Sequence, residues 1–244
     1  MMHAVKAGSL VLLATALFCP PQAMAEYDPW GFGIDARVAF GEEESRDRTP
    51  LYREGDGALL GLAVSLPVNR VLNLRLTGER LELWGDRANA FAGFNPIYEE
   101  TMQLAHAELI LHRPRQTGLH PYLSAGLIRQ ERKVVWRELD VNPITGAIIT
   151  HRILLDSNLD GFSLGTGLVW SGNQQEYTLA LEQRSLETDN GRDSSERIIR
   201  ISAARHLGKQ LAVGLDLEQR RYDAITHDEE IELLSLGLQA RWRF

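Results

Sequence analysis

The chain has 244 residues, a formal net charge of −7 and a single cysteine, Cys19. An acidic chain without a basic stripe is a poor match for nucleic acid, because neutralising phosphates requires clustered lysine and arginine. After the first 25 residues, no stretch approaches the ~18 continuous apolar residues of a membrane-spanning helix. Any membrane insertion would therefore depend on strands, whose successive side chains point to opposite faces.

Residues 1–25 have the features of a cleavable signal peptide. Lys6 supplies the positive start, residues 7–18 form an apolar stretch too short to span a bilayer, and residues 23–25 form a small-x-small cleavage site. Cleavage there would leave residues 26–244 as one domain without cysteine. This prediction excludes disulfides and thiolate metal sites.

Runs in which every second residue is apolar recur along the rest of the chain. They are Trp30–Phe40, Leu60–Val68, Leu72–Leu76, Ala105–Leu111, Phe162–Trp170, Tyr177–Leu181, Ile199–Ala203, Leu211–Leu217 and Leu234–Phe244. The run from Tyr122 to Trp136 is long, and its parity is mixed. Together these runs predict about ten strands, each near the ~9–11 residues that a tilted strand needs to cross a membrane. Eight strands are the alternative if the region from Tyr122 to Trp170 pairs differently.

The connections between these runs are of two kinds that alternate strictly. Short connections, rich in turn residues, are predicted at 68–71, 113–119, 171–176 and 206–210, and longer polar ones at 41–56, 85–101, 138–160, 187–195 and 223–230. Alternating short turns and long loops are typical of barrels with periplasmic turns and extracellular loops. An even strand count would place both chain ends on the periplasmic side.

The last segment, from Ile231 to Phe244, carries the strongest pattern. Apolar residues occupy every second position and the final residue is aromatic. The segment resembles the closing strand of small bacterial outer-membrane β-barrel proteins of the OmpA-like and OmpW-like class, whose C-terminal aromatic signal is read by the barrel-assembly machinery. The resemblance implies an all-β, antiparallel up-and-down transmembrane β-barrel, exported through the periplasm to the cell outer membrane. It also implies Trp242 and Phe244 as the assembly signal, and the assembly machinery, outer-membrane lipid and lipopolysaccharide as partners.

Aromatic residues are predicted at both ends of the strands, as expected for the two interfaces of a bilayer. One group is Trp30, Tyr122, Trp170, Tyr177, Trp242 and Phe244, and the other is Phe40, Trp84, Trp136 and Tyr222. A secreted soluble barrel would show the same alternation turned inside out. The charges at mid-strand and the terminal aromatic strand favour the membrane barrel.

The polar parity predicts a lumen filled with charge. Its charged members are Asp35, Arg37, Arg75, Glu79, His106, Glu108, Glu182, Arg184, Arg200, Asp216, Glu218, Arg220 and Arg241. Acids and bases alternate from strand to strand, and side chains can fill the interior of so small a barrel. Because an unpaired buried charge costs several kcal/mol, these groups are expected to form an internal ion-pair lattice. The protein would then have a structural or interaction role; the alternative is a narrow channel lined by the same groups.

A rim-located hydrolase is the third hypothesis. Nucleophilic catalysis requires a base held by an acid and close to the nucleophile. His106 and Glu108 lie on one strand face, where Ser124 could lie across, and further histidines occur at His151 and His227. No motif matches the omptin-type proteases, so no catalytic residue, metal ligand or cofactor is predicted.

Overall fold

The computed structural model describes residues 29–45, 51–89, 97–113, 118–141, 148–172, 174–223 and 230–244. The signal peptide predicted at residues 1–25 lies outside them. The described residues form ten strands, β1 to β10: Gly33–Ser45, Leu51–Pro67, Leu72–Asn89, Ile97–His112, Gly118–Val141, Ile148–Ser171, Gln175–Thr188, Asp193–His206, Leu211–Asp223 and Glu230–Arg243. None of the described residues forms a helix long and apolar enough to cross a membrane.

The ten strands close into a single barrel. Each strand pairs antiparallel with its neighbours in the chain, and β1 pairs with β10, from Gly33 opposite Arg243 to Ser45 opposite Ile231. A closed barrel leaves no strand edge unpaired, which is the condition for strands to cross a bilayer. The predicted ten-stranded antiparallel barrel is confirmed, and the eight-stranded alternative is wrong.

Gly33, where β1 begins, and Arg243, where β10 ends, lie at one end of the barrel, called here the terminal end; the opposite end is the loop end. At the terminal end lie the strand ends that the short connections join: Pro67 and Leu72, His112 and Gly118, Ser171 and Gln175, and His206 and Leu211. The strands extend much further towards the loop end than predicted, and β5 and β6 have 24 residues each. Most of the predicted loop 138–160 is therefore strand, with β5 ending at Val141 and β6 beginning at Ile148.

The outer face of the barrel changes character along its axis. Near the terminal end it forms an apolar belt, in which Leu62, Leu123 and Leu238 are 56%, 59% and 65% exposed. Towards the loop end, outward positions become charged, as in the exposed pairs Arg80–Glu82 and Lys133–Glu131. The apolar belt therefore covers only part of each strand. The outward positions beyond it resemble the surface of a water-exposed protein.

The inner face changes in the opposite direction, and β5 shows how. Leu123 and Leu127 point outward, whereas Ile128 and Val134, further along the strand, point inward and are each 4% exposed. Side chains still alternate strictly, but the apolar residues change from the outer to the inner face. This exchange explains why the sequence of this strand has no single apolar parity.

The predicted aromatic belts need correction. At the terminal end Trp170, Trp242 and Phe244 are exposed on the outer face, and Phe40 and Trp84 are exposed nearer the loop end. Three of the predicted belt residues instead face the interior: Trp30, Tyr122 and Tyr222. Tyr222 has the parity of the inward Arg220, and Trp30 precedes β1, where strand alternation no longer fixes its direction. The side chain of Trp136 lies outside the described part.

Candidate functional site

The candidate site is the barrel interior, and the thirteen charged residues predicted there all occupy inward-facing positions. Nine of them line one cavity of about 120 Å³ towards the terminal end: Asp35, Arg75, Glu79, His106, Glu108, Glu182, Arg184, Arg200 and Arg241. The other four, Arg37, Asp216, Glu218 and Arg220, join Arg200 and Glu79 in ion pairs. Glu108 lines the cavity without an ion pair to any described residue.

Glu218 is the centre of these ion pairs. It is fully buried and accepts hydrogen bonds from three arginines: Arg37 at 2.7 Å, Arg200 at 2.5 and 2.9 Å, and Arg220 at 3.0 Å. Three cations around one carboxylate are balanced only if further acids lie nearby. Asp216 pairs with Arg37, and Glu79 lies 3.0 Å from Arg220.

Glu196 extends the network and was missed by the sequence analysis. It is fully buried and lies 3.0 Å from Arg184 and 3.2 Å from Arg220. Arg184 also pairs with Glu182 at 2.7 Å. Glu196 has the parity of Arg200, but it precedes the apolar run that marked the predicted strand. Extending that parity back by four residues would have found it.

The resulting charge layer is drawn from β1, β3, β7, β8 and β9. It is defined here as Arg37, Glu79, Glu182, Arg184, Glu196, Arg200, Asp216, Glu218 and Arg220. Charge-assisted hydrogen bonds of this kind are short and strong, and buried charges need such partners. The layer therefore fixes the packing of half of the strands around the barrel interior.

His106, on β4, connects the charge layer to the side of the barrel formed by β4 to β6. Its Nε2 atom lies 2.8 Å from the hydroxyl of Ser163 on β6, and its Nδ1 atom lies 4.0 Å from Glu182. Its ring fits because Gly126 faces it: a Cβ there would lie 2.4 Å from Nε2. The serine that contacts His106 is thus Ser163 on β6, whereas the sequence had pointed to Ser124 on β5.

The barrel interior is also filled on the loop-end side of the charge layer. Inward side chains there form an apolar cluster, the loop-end core: Ala39, Leu59, Leu81, Leu83, Tyr98, Met102, Tyr222, Ile231 and Leu233. A smaller cluster of Leu104, Ile128, Leu159 and Leu186 accompanies it. These members are at most 6% exposed, so the interior at this level is packed like the core of a soluble domain. None of the charged residues predicted for the lumen belongs to these two clusters.

Buried polar groups are also embedded at the loop end, among them Glu43 and Arg132. The phenol of Tyr98 donates to Glu43 at 2.8 Å, and Tyr222 lies 3.4 Å from the same carboxylate. The guanidinium of Arg132, also fully buried, donates to the carbonyl of Asp223 at 2.9 Å and lies over the Tyr222 ring. Glu43 and Tyr98 had been assigned to loops, which is why neither was predicted to face the interior.

The cavity is bounded at the terminal end by Trp30. Its ring stacks on His112 with centroids 4.4 Å apart, and its carbonyl accepts a hydrogen bond from Asn73 at 2.6 Å. Nearby, Arg243 lies 2.5 Å from Asp35, and Arg241 pairs with the buried Glu176. In the described residues, no group of three or more histidine, cysteine or acidic side chains is arranged to hold a metal ion.

Comparisons with known proteins agree with this architecture. The chain superposes on outer membrane protease OmpT from Escherichia coli with a TM-score of 0.56 at 9% identity, over 90% of this chain and 99% of that one. It also matches Neisserial surface protein A (TM-score 0.39, 13% identity, 88% and 97% covered) and Ail, the attachment invasion locus protein of Yersinia pestis (0.36, 9%, 86% and 99%). No family model and no curated protein matches the sequence.

The similarity to OmpT defines the class of fold. At such low identity the likeness concerns the fold alone, and that fold is a closed barrel of the bacterial outer-membrane type. The class-level resemblance inferred from the sequence is thereby confirmed.

Proposed function

We propose that the protein is a closed, non-conducting barrel of the bacterial outer membrane with a structural or interaction role. One observation carries this proposal: the interior is filled twice in succession, by the charge layer and then by the loop-end core. Water and ions would have to pass both. The alternative of a narrow ion channel requires a continuous polar path, and the apolar loop-end core interrupts it.

The charge layer is a poor gate because it is costly to open. Removing one partner from a buried ion pair costs about 3–5 kcal/mol, since the other charge remains buried without compensation. Arg220 contacts three carboxylates, so moving it would disturb Glu79, Glu196 and Glu218 together. A layer held in this way stabilises the barrel and its register.

The outer surface supports placement in a membrane. The apolar belt at the terminal end would face lipid, and the exposed aromatic rings of Trp170, Trp242 and Phe244 would lie at its edge, where amphipathic aromatic residues are typical. In this proposal Trp242 and Phe244 also form the signal for the barrel-assembly machinery. Lipopolysaccharide and lipid would surround the belt, while the loop-end half would project from the membrane and offer its loops to partners.

The same interior argues against a hydrolase. Ser163, His106 and Glu182 follow the order nucleophile, base and acid, but a nucleophile must reach its substrate. Ser163 is 1% exposed and lies inside the wall, away from the rim. His227 and the side chain of His151 lie outside the described part. Hydrogen bonding within a polar layer accounts for the contacts of His106.

The test is single-channel conductance of the refolded protein in a planar bilayer. Insertion is checked first by comparing boiled and unboiled samples on a gel, because folded barrels migrate differently from unfolded ones. We expect inserted protein without stable conductance steps. Reproducible steps from the unmodified protein would overturn the closed-barrel proposal and promote the channel.

A further inference from the structure

Two arginines face each other on the outer surface, just where the apolar belt ends. Arg197 on β8 and Arg221 on β9 are directly opposite in the strand register. On β8 the next outward residue towards the terminal end is Ile199, which is 41% exposed. On β9 the outward residues in that direction are Gln219 and then Leu217. The pair therefore lies in the first charged row above the belt.

Such a pair is unfavourable by itself, because like charges directly opposite each other on a sheet repel. The outer face of β5 and β6 shows the usual arrangement: Arg129 faces Asp160, and Lys133 faces Asp156. Bases and acids thus alternate there, whereas two bases meet at β8 and β9. The arginine pair is suited to an added anion.

Internal partners neutralise the pair only in part. Arg197 Nε donates to the amide oxygen of Gln183 at 3.0 Å, which brings no negative charge. Arg221 Nε lies 3.5 Å from Glu232, and that carboxylate also accepts a hydrogen bond from Gln219. Within the described ranges, Arg197 therefore has no carboxylate as an ion-pair partner and Arg221 has only Glu232, so the two arginines together keep a net positive charge.

An apolar groove begins beside Arg197. It has a volume of about 420 Å³, is open on the outer face and is lined by Leu164 on β6, Leu181 on β7 and Ile199 on β8. Arg197 and Gln183 border it as well. A cationic pair joined to an apolar groove is complementary to a molecule with an anionic head and an acyl chain.

We propose that Arg197 and Arg221 bind the phosphate headgroup of a membrane lipid whose acyl chain lies in the groove between β6 and β8. Guanidinium groups bind phosphate oxygens in paired, charge-assisted hydrogen bonds, and basic residues at a membrane surface recognise anionic headgroups. The phosphate also relieves the repulsion between the two arginines. This inference rests on the proposed membrane location.

The experiment measures lipid binding to the refolded protein in detergent micelles by native mass spectrometry. The probes are phosphatidic acid, diacylglycerol, phosphatidylcholine and inorganic phosphate. The variants are R197Q, R221Q and the double variant, and the matched control is K133Q, which removes a charge from the outer face of β5, away from the arginine pair. All are first checked for the gel shift of a folded barrel.

We expect phosphatidic acid to bind the unmodified protein and K133Q equally, with about a fivefold loss of affinity for each single arginine variant and a larger loss for the double variant. Diacylglycerol should not bind, because it lacks the phosphate. Equal binding of phosphatidic acid and phosphatidylcholine, or an unchanged double variant, would overturn the proposal. Binding of inorganic phosphate as tight as that of phosphatidic acid would also overturn it, since the groove would then contribute nothing.

A conductance measurement on the same preparation separates this proposal from the closed barrel. A conducting barrel that binds phosphatidic acid through the two arginines would overturn the closed-barrel proposal alone. A silent barrel without phosphatidic acid binding would overturn the lipid site alone.

Discussion

The two halves of the barrel distribute apolar and charged side chains in opposite ways, and β3 passes through both halves. Near the terminal end its outward residues are Leu72, Leu74 and Leu76, and its inward ones are Arg75 and Glu79; nearer the loop end Arg80 and Glu82 point outward, and Leu81 and Leu83 point inward. The backbone alternates identically in both halves. What changes is the medium that each face meets, because apolar side chains go wherever water is absent. In the proposed arrangement, lipid surrounds the first half and water the second.

The difference also determines how each half is held together. In the terminal half, ion pairs and hydrogen bonds fill the interior, and the outer residues need only be compatible with lipid. In the loop half, burial of apolar side chains stabilises the interior as in a soluble domain. The same substitution should therefore have different effects in the two halves.

The largest expected effect is on the charge layer. Arg220→Ala should lower the free energy of unfolding by about 3–5 kcal/mol, because Glu79, Glu196 and Glu218 lose a buried partner together. The matched control is Arg80→Ala on the outer face, where the ion pair with Glu82 is about half exposed and contributes at most about 1 kcal/mol. Urea unfolding of the refolded protein in micelles, followed by tryptophan fluorescence, measures both. Equal losses would mean that the interior charges are not a cooperative lattice.

The next comparison makes the same Leu→Ala substitution at one inward-facing and one outward-facing position. Leu83→Ala removes a side chain that is 1% exposed in the loop-end core, and it should cost about 2–5 kcal/mol by leaving a cavity. Leu62→Ala, in the belt, should cost clearly less, because lipid or detergent fills the space left at a side chain that is 56% exposed. The same unfolding experiment compares them. A costlier Leu62→Ala would reverse the assignment of the two halves.

A charge scan along β5 locates the edge of the belt. Leu123→Arg should cost about 2–4 kcal/mol in a bilayer, because an arginine on the lipid face of a barrel is unfavourable at depth. Glu131→Arg, on the same outward face of the same strand, should cost about 1 kcal/mol or less, since it loses only the exposed pair with Lys133. Folding yield into vesicles at increasing urea measures the difference. Similar costs at both positions would place the belt edge elsewhere.

The sequence predicted the barrel well because alternation is a local property of a strand. The ten strands, their antiparallel order and the inward direction of residues such as Arg37 and Glu218 all follow from counting every second residue. The prediction was poorest in β5, β6 and the predicted loops. There the apolar residues exchange faces, so a search for one apolar parity ended the strands too early and placed Glu43 and Tyr98 in loops.

Contacts between distant strands were beyond the sequence. Parity shows that Arg220 and Glu79 face inward, but they are 141 residues apart, and only the closure of the sheet brings their side chains to 3.0 Å. The choice of Ser163 as the partner of His106 has the same origin, because it depends on the packing across the interior. The two arginines on β8 and β9 became a pair through the register of those strands.

The amino-acid sequence by itself determined an all-β chain with one charged and one apolar face, since side-chain direction alternates along any extended backbone. Only the tertiary structure decided that the charged face would be an ion-pair layer closed by an apolar core. That outcome depends on which residues the barrel brings to the same level along its axis. This level is set by the stagger and tilt of all ten strands together.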